Sequence, residues 1–213
     1  MPSFERFAGL YGITDSTLMP DDKTLLAKVE TALKGGMAIL QYRDKSTENE
    51  KRLHQARLLK ELCHNYQVPL IINDDVALAA ACGADGVHLG ADDETVSDAR
   101  ALLGDSAIIG ISCYGSLERA LVMQSRGADY VAFGACFPSP TKPEAAVDVK
   151  PGLLAKACQT LSVPIVAIGG ITLDNAPDII SQGVNMVAVI SDLFSADNIE
   201  AQAHQYSQLF HPS

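Results

Sequence analysis

Residues 69–89 read PLIINDDVALAAACGADGVHL, and the way this stretch folds decides how the whole chain folds. Pro69–Asn73 is an apolar run of strand length, and Gly86–Leu89 is a second. Between them, Val76–Cys82 has the residues of a short helix. Gly83 follows at the place where a left-handed residue commonly closes a helix. The stretch therefore reads as a strand–helix–strand unit, with strands apolar on both faces as in a parallel sheet covered on either side.

The same unit recurs along the chain. Further strands are expected at Gly9–Thr14, Ala38–Arg43, Ile108–Ser112, Tyr130–Gly134, Pro164–Gly169 and Met186–Ile190. Helix patterns fall at Asp21–Lys34, Thr47–Tyr66, Thr95–Leu103, Leu117–Arg126, Pro151–Leu161, Asn175–Gln182 and Asp197–Phe210. Within Thr47–Tyr66, the spacing of Leu53, Ala56, Leu59, Leu62 and Cys63 buries one helical face. The tetrapeptides GGMA, CGAD, RGAD and QGVN each set a glycine between a helix and the next strand, a weak internal repeat. Eight βα units in this length favour a closed (β/α)8 TIM barrel over an open doubly wound sheet. The first strand ends Ile13-Thr14-Asp15, without the Gly-x-Gly-x-x-Gly turn of a dinucleotide fold. No Pro-, Ser- or Gly-rich linker interrupts the pattern, so one barrel domain over residues 1–213 is expected.

Composition narrows the function. Of 213 residues, 47% are hydrophobic and 20% charged, enough apolar chain for one well-buried core. No apolar run approaches the ~20 residues of a membrane helix, and no secretory leader is expected at the N-terminus. The five cysteines are odd in number and form no CxxC pair, so they read as the reduced thiols of a cytoplasmic protein. A formal net charge of −10 argues against nucleic-acid or anionic-membrane partners. An anionic ligand must then be held by a local cationic site. Homo-oligomerisation is left open.

In a (β/α)8 barrel, functional groups stand at the carboxyl ends of the strands. The segment QYRDK there ends an apolar strand in charge; if the strand continues, Gln41, Arg43 and Lys45 share one face while Asp44 points away into the scaffold. With Lys142 they would form a cationic cluster suited to phosphate oxygens; alternatively, the cations pair with carboxylates such as Asp44. Asp74 and Asp93 come from adjacent strand ends. Two carboxylates together with substrate phosphate oxygens make a Mg²⁺ site, whereas Asp75 and Asp92 suit helix caps. Gly169-Gly170 and Ile190-Ser191 match the phosphate site commonly built by the loops after strands seven and eight. Ser139 and Thr141 would add hydroxyls from across the mouth. The chemistry that fits is a joining of two phosphorylated small molecules with loss of pyrophosphate.

The motifs GLYGITD, QYRDK, LIINDD, GADGVHLG followed by Asp92-Asp93, PSPTK, VAIGGIT and VAVIS run in order from about residue 9 to residue 194. Together they resemble the thiamine-phosphate synthase family. The resemblance implies a transferase of thiamine biosynthesis that condenses a hydroxymethylpyrimidine diphosphate with a hydroxyethylthiazole phosphate (or its carboxylate form), with Mg²⁺ as cofactor. It assigns Gln41, Arg43, Lys45, Asn73, Ser112 and Lys142 to the pyrimidine diphosphate. Asp74 and Asp93 fall to the metal, and Ser139, Thr141, Gly170, Ile190 and Ser191 to the thiazole phosphate. Arg43, Lys45, Ser112 and Lys142 are the implied catalytic residues, in a dissociative reaction that needs no His or Cys nucleophile.

Three positions depart from the family pattern. Ala91 stands where Gln is usual, Ser139 where Thr is common, and Cys113-Tyr114 follow Ser112 where a His often stands. Other residues stay in the background: His88 as a packed core histidine, Cys113 and Cys136 as small buried hydrophobes near strand ends, Phe133 and Phe137 at the mouth or in the core. A loop over Phe137–Val149 is a candidate cover for the site. Two alternatives remain: a thiazole tautomerase of the same barrel type, and a non-catalytic protein that binds thiazole phosphate or thiamine phosphate.

Overall fold

A computed structural model describes residues 7–91, 95–138 and 148–210. The apolar runs form strands β1 (Gly9–Ile13), β2 (Ile39–Tyr42), β3 (Leu70–Asn73), β4 (Gly86–Leu89), β5 (Ile108–Tyr114), β6 (Tyr130–Phe133), β7 (Ile165–Ile168) and β8 (Met186–Val189). All neighbours pair in parallel and β1 pairs with β8, which closes an eight-stranded (β/α)8 barrel. Around it lie α1 (Asp22–Lys34), α2 (Asn49–Asn65), α3 (Val76–Cys82), α4 (Val96–Leu103), α5 (Leu117–Ser125), α6 (Leu153–Thr160) and α7 (Ala176–Ile180). A four-residue helix, α8 (Ser191–Phe194), and then α9 (Ile199–Phe210) follow β8. The sequence pattern anticipated α9 but not α8, which is too short to show a helical period. None of the described helices is long and apolar enough to cross a membrane.

Local chemistry starts and stops these elements. Asp21, Asp75, Thr95 and Ser116 cap α1, α3, α4 and α5, each accepting the backbone N–H three residues on. Gly83 closes α3 in the left-handed region at φ 67°.

Strand alternation divides the core in two. Tyr11, Ile13, Ile39, Ile71, Tyr130, Val166, Met186 and Ala188 pack inside the barrel. The outward residues, among them Leu10, Leu40, Ile72, Val87, Ile109, Val131, Phe133 and Val187, pack beneath the helices. Each fully buried Leu, Ile or Val contributes about 1.5–3 kcal/mol, so neither face of a strand tolerates a charge.

The recurrent CGAD, RGAD and QGVN tetrapeptides prove to be joints at the amino-terminal end of the barrel. Asp85, Asp129 and Asn185 each donate a backbone N–H to the strand before, at Leu70, Ile109 and Ile165. Their side-chain oxygens accept the N–H of those same residues at 2.8–2.9 Å. Lys60 and Arg100 then neutralise Asp85 and Asp129, each at 2.7 Å. Asp129→Ala would strand the Ile109 N–H and the Arg100 guanidinium, and should cost about 2–3 kcal/mol in urea unfolding. Asp129→Asn, which copies the arrangement at Asn185, should cost less than half as much.

Candidate active site

Strand β2 stops at Tyr42, earlier than the alternation through Lys45 requires. Asp44 causes the break. Its carboxylate accepts the Ser46 N–H at 2.7 Å and lies 3.5 Å from Lys51, which turns the chain away from the sheet. Burial pushes the Asp44 carboxyl upward, but the Ser46 and Lys51 interactions outweigh it and leave its pKa below the ordinary value. Asp44 is therefore scaffold, though by folding back rather than by pointing to the opposite sheet face. Arg43 is placed by its own N–H, which donates to Thr14 Oγ1 at 2.9 Å, and it lines the central cavity. Among the described residues its guanidinium makes no ion pair.

Lys45 reaches across to Asp74, 3.1 Å from Nζ to Oδ2. Asp74 adopts φ 63° and donates its N–H to His88 O at 2.9 Å, which sets its carboxylate at the rim between β3 and β4. The adjoining Asp75 does different work. It caps α3 and pairs with Arg52 at 2.9 Å, as a helix-capping Asp should. Asp92 and Asp93 lie outside the described residues, and among the described residues no three metal-ligating side chains converge. One or two carboxylates with substrate phosphates are the usual donor set for Mg²⁺, and Asp74, partly exposed at the mouth, fits that chemistry.

The central cavity, about 190 Å³, is lined by Gln41, Arg43, Asn73, Ser112 and Tyr114 on one side and by Gly134, Ile168, Gly169 and Ile190 on the other. Its floor is polar, which the sequence reading did not anticipate. Gln41 Nε2 donates to Tyr11 OH at 2.8 Å, and the Tyr11 and Tyr130 hydroxyls stand 2.8 Å apart. Tyr130 OH lies 2.9 Å from His88 Nδ1, and His88 Nε2 lies 2.9 Å from Ser112 Oγ. His88 is indeed buried, but it is not packed among apolar side chains alone: both ring nitrogens are engaged and it contacts a predicted site residue. Burial lowers its pKa to about 4 against the opposing pull of Asp74, so the ring is neutral near pH 7. The available signal was parity, since Tyr11, Gln41, His88, Ser112 and Tyr130 all occupy inward positions.

Arg119 of α5 braces the same rim, donating to Ser112 O at 2.9 Å and Gly90 O at 3.0 Å. Ala91 directs its N–H to Tyr114 OH at 3.3 Å, and Tyr114 turns over the mouth at φ 54°. Phe133 is entirely buried beneath the helices, and Phe137 packs partly buried against that layer.

A second cavity of about 340 Å³ adjoins the first and shares Ile168, Gly169, Ala188 and Ile190 with it. Gly170, Thr172, Ser191 and Asp192 are also in its wall. The Gly169-Gly170 turn has positive φ at both residues, and a Cβ on Gly170 would collide with Pro138 O. Asn175 holds it, donating to Gly170 O at 3.0 Å and accepting the Thr172 N–H at 2.9 Å. Ser139, Thr141 and Lys142 lie outside the described residues, as does most of the expected Phe137–Val149 loop. The structure thus gathers Gln41, Arg43, Asn73 and Ser112 around one cavity, Gly170, Ile190 and Ser191 around the other, and Lys45 with Asp74 at the rim.

Fold and site define a (β/α)8 barrel with polar groups at the carboxyl ends of its strands and two adjoining cavities. A family model described as thiamine monophosphate synthase matches residues 10–193, and the chain belongs to that family. The chain is 55% identical over 204 residues to a thiamine-phosphate synthase of Methylobacillus flagellatus, covering 95% of each chain. It is 52% identical over 202 residues to one of Nitrosococcus oceani, covering 95% of this chain and 92% of the relative. A solved thiamine phosphate pyrophosphorylase from Pyrococcus furiosus superposes with a TM-score of 0.86 at 33% identity, covering 97% of this chain and 98% of that one.

The cysteines near the site are inert. Burial pushes the Cys113 thiol up to about 12 against the pull of Arg119, and that of Cys136 up to about 11 against the Ile168 hydrogen-bond contribution. Both thiols remain protonated at pH 8, and the thiolate is the nucleophile. Iodoacetamide at pH 8 should leave Cys113 and Cys136 unmodified in the native protein and label both after unfolding, as read by peptide mass spectrometry.

Proposed function

We propose that this protein is a thiamine-phosphate synthase, condensing 4-amino-2-methyl-5-(diphosphooxymethyl)pyrimidine with 4-methyl-5-(2-phosphooxyethyl)thiazole, or its carboxylate form. The observation that carries the reading is the pair of adjoining cavities in a chain about half identical to proteins of that name. Two phosphorylated partners must meet with their reacting atoms close, and two sites sharing a wall provide for that.

In the reaction, the bond from the pyrimidine methylene carbon to the diphosphate oxygen breaks, and pyrophosphate leaves with both electrons. The aminopyrimidine stabilises the resulting cation, and the thiazole nitrogen lone pair forms the new C–N bond. The catalytic load is charge developing on the leaving group, so preorganised cations matter more than a nucleophile. Arg43, which makes no close ion pair among the described residues although its charge reaches Asp15, is suited to diphosphate oxygens, and Lys45 and Lys142 add point charge. Asn73 and Ser112 offer neutral hydrogen bonds along the same wall. Gly170 and Ser191, with Ser139 and Thr141, would receive the thiazole phosphate, and Ile190 would pack against its ring. Asp74 and Asp93 would hold Mg²⁺, which when bound supplies positive charge to the diphosphate.

The tautomerase and binding-protein readings are not favoured. Neither needs a cationic rim beside a carboxylate, and both are kept here in Arg43, Lys45 and Asp74. Incubation with both substrates, with Mg²⁺ and then with chelator, distinguishes all three. Thiamine phosphate formed only with Mg²⁺ supports the synthase. Tautomerised thiazole without coupling, or binding without turnover, overturns it. Arg43→Ala and Lys142→Ala should each lower turnover by roughly 10²–10³-fold, the effect of removing one preorganised donor to developing charge. Near-wild-type turnover in both would remove these residues from the mechanism.

A further inference from the structure

We infer that Gln41, Tyr11, Tyr130 and His88 are positioning residues, forming a one-way hydrogen-bond relay that aims the Ser112 hydroxyl proton into the central cavity. The inference rests on the reading of Ser112 as a substrate contact and adds how that contact is polarised.

The direction follows from counting protons. Gln41 Nε2 has hydrogens and no acceptor capacity, so at 2.8 Å it can only donate to Tyr11 OH. Tyr11 is fully buried, and its one hydroxyl hydrogen needs an acceptor; Tyr130 OH, at 2.8 Å, is the acceptor within reach among the described residues. Tyr130 OH, having accepted, passes its own hydrogen to His88 Nδ1 at 2.9 Å. An Nδ1 that accepts carries no proton, so the neutral ring must be protonated at Nε2. That nitrogen then donates to Ser112 Oγ, 2.9 Å away. With its oxygen already accepting from His88, Ser112 keeps its hydrogen for the cavity it lines. Ser112 thus stands as a fixed donor to an acceptor atom of the pyrimidine diphosphate, a ring nitrogen or a phosphoryl oxygen.

The barrel is built around this relay. The Tyr130 ring lies against His88 with centroids 5.6 Å apart and planes inclined by 24°. A Cβ on Gly110 of β5 would overlap the Tyr130 ring and hydroxyl, so only glycine there lets the ring reach across. Nothing in this sequence of contacts transfers a proton during turnover. Its product is an orientation set before substrate arrives, at no reorganisation cost during the reaction.

The opposite polarity is a distinct and testable state. With the Gln41 carboxamide reversed, every donor and acceptor would exchange: His88 would be protonated at Nδ1, and Ser112 would donate to Nε2. Nitrogen-15 NMR of histidine-labelled, ligand-free protein separates the two, with the His88 signals identified by their loss in His88→Asn. The relay requires a pyrrole-like Nε2 and a pyridine-like Nδ1, and Tyr130→Phe should abolish that single-tautomer pattern. A protonated Nδ1 in the wild type overturns the inference, whatever reaction the protein performs.

Turnover then tests the consequence. Tyr130→Phe should lower kcat roughly tenfold, about what the loss of one buried hydrogen bond is worth. In a Ser112→Ala background the same substitution should change kcat less than about twofold, because the two residues act through one contact. Equal losses in both backgrounds would mean that Tyr130 only supports the fold, and would overturn the relay. Tyr11→Phe, one step further from Ser112, provides the same cycle if Tyr130→Phe fails to fold. Absence of thiamine phosphate in the wild type would instead count against the proposed function and leave the tautomer result standing.

Discussion

A 2.8 Å contact between the hydroxyls of Tyr11 and Tyr130 joins β1 to β6 across the inside of the barrel, and the site is built upon it. Below it the interior is apolar, with Ile39, Ile71 and Met186 packed together. Above it the inward positions of β2 to β5 are polar, Gln41, Asn73, His88 and Ser112, while Ile13, Ala132, Ile168 and Ala188 keep the opposite wall apolar. A buried hydroxyl without a partner costs about 1–3 kcal/mol, so two tyrosines inside a barrel demand further polar neighbours. Gln41 and His88 meet that demand, and through His88 the polar layer reaches the cavity. One cross-barrel pair thus separates the part of the interior that stabilises from the part that binds.

The two ends of the barrel divide the work in the same way. At the amino-terminal end, Asp85, Asp129 and Asn185 spend their side chains on backbone N–H groups of neighbouring strands. At the carboxyl end, Arg43, Asn73 and Ser112 remain turned toward open space. Side chains at that end are held from behind, as Arg119 holds the backbone at Ser112 and Asn175 holds Gly170. Rigid support with unspent side chains is what a preorganised site requires.

Sorting of charge explains how a chain of net charge −10 presents cations at its mouth. Asp44 and Asp75, which border the rim in sequence, are turned to Lys51 and Arg52 on α2. Asp74 alone of this group faces Lys45. Had Asp44 paired with Arg43, the guanidinium would be neutralised before any phosphate arrived; the bend at Ser46 prevents that pairing.

The sequence by itself determined the barrel and the end that carries the site. Parallel strands buried on both faces leave a local record, apolar runs that end in polar residues, so Gly86–Leu89 could be read residue for residue and most other strands to within one or two. The chemical types at the mouth were legible for the same reason. The short helix at Ser191–Phe194 left no periodic record, and the conditional continuation of β2 to Lys45 fails because Asp44 turns the chain through a side-chain bond rather than by pattern. Only the tertiary structure decided which polar groups meet. Tyr11 and Tyr130 are 119 residues apart, His88 and Ser112 are 24, and Lys45 finds Asp74 rather than a neighbour. Those partnerships depend on how barrel closure staggers the strands, a property of the whole sheet that no single strand encodes.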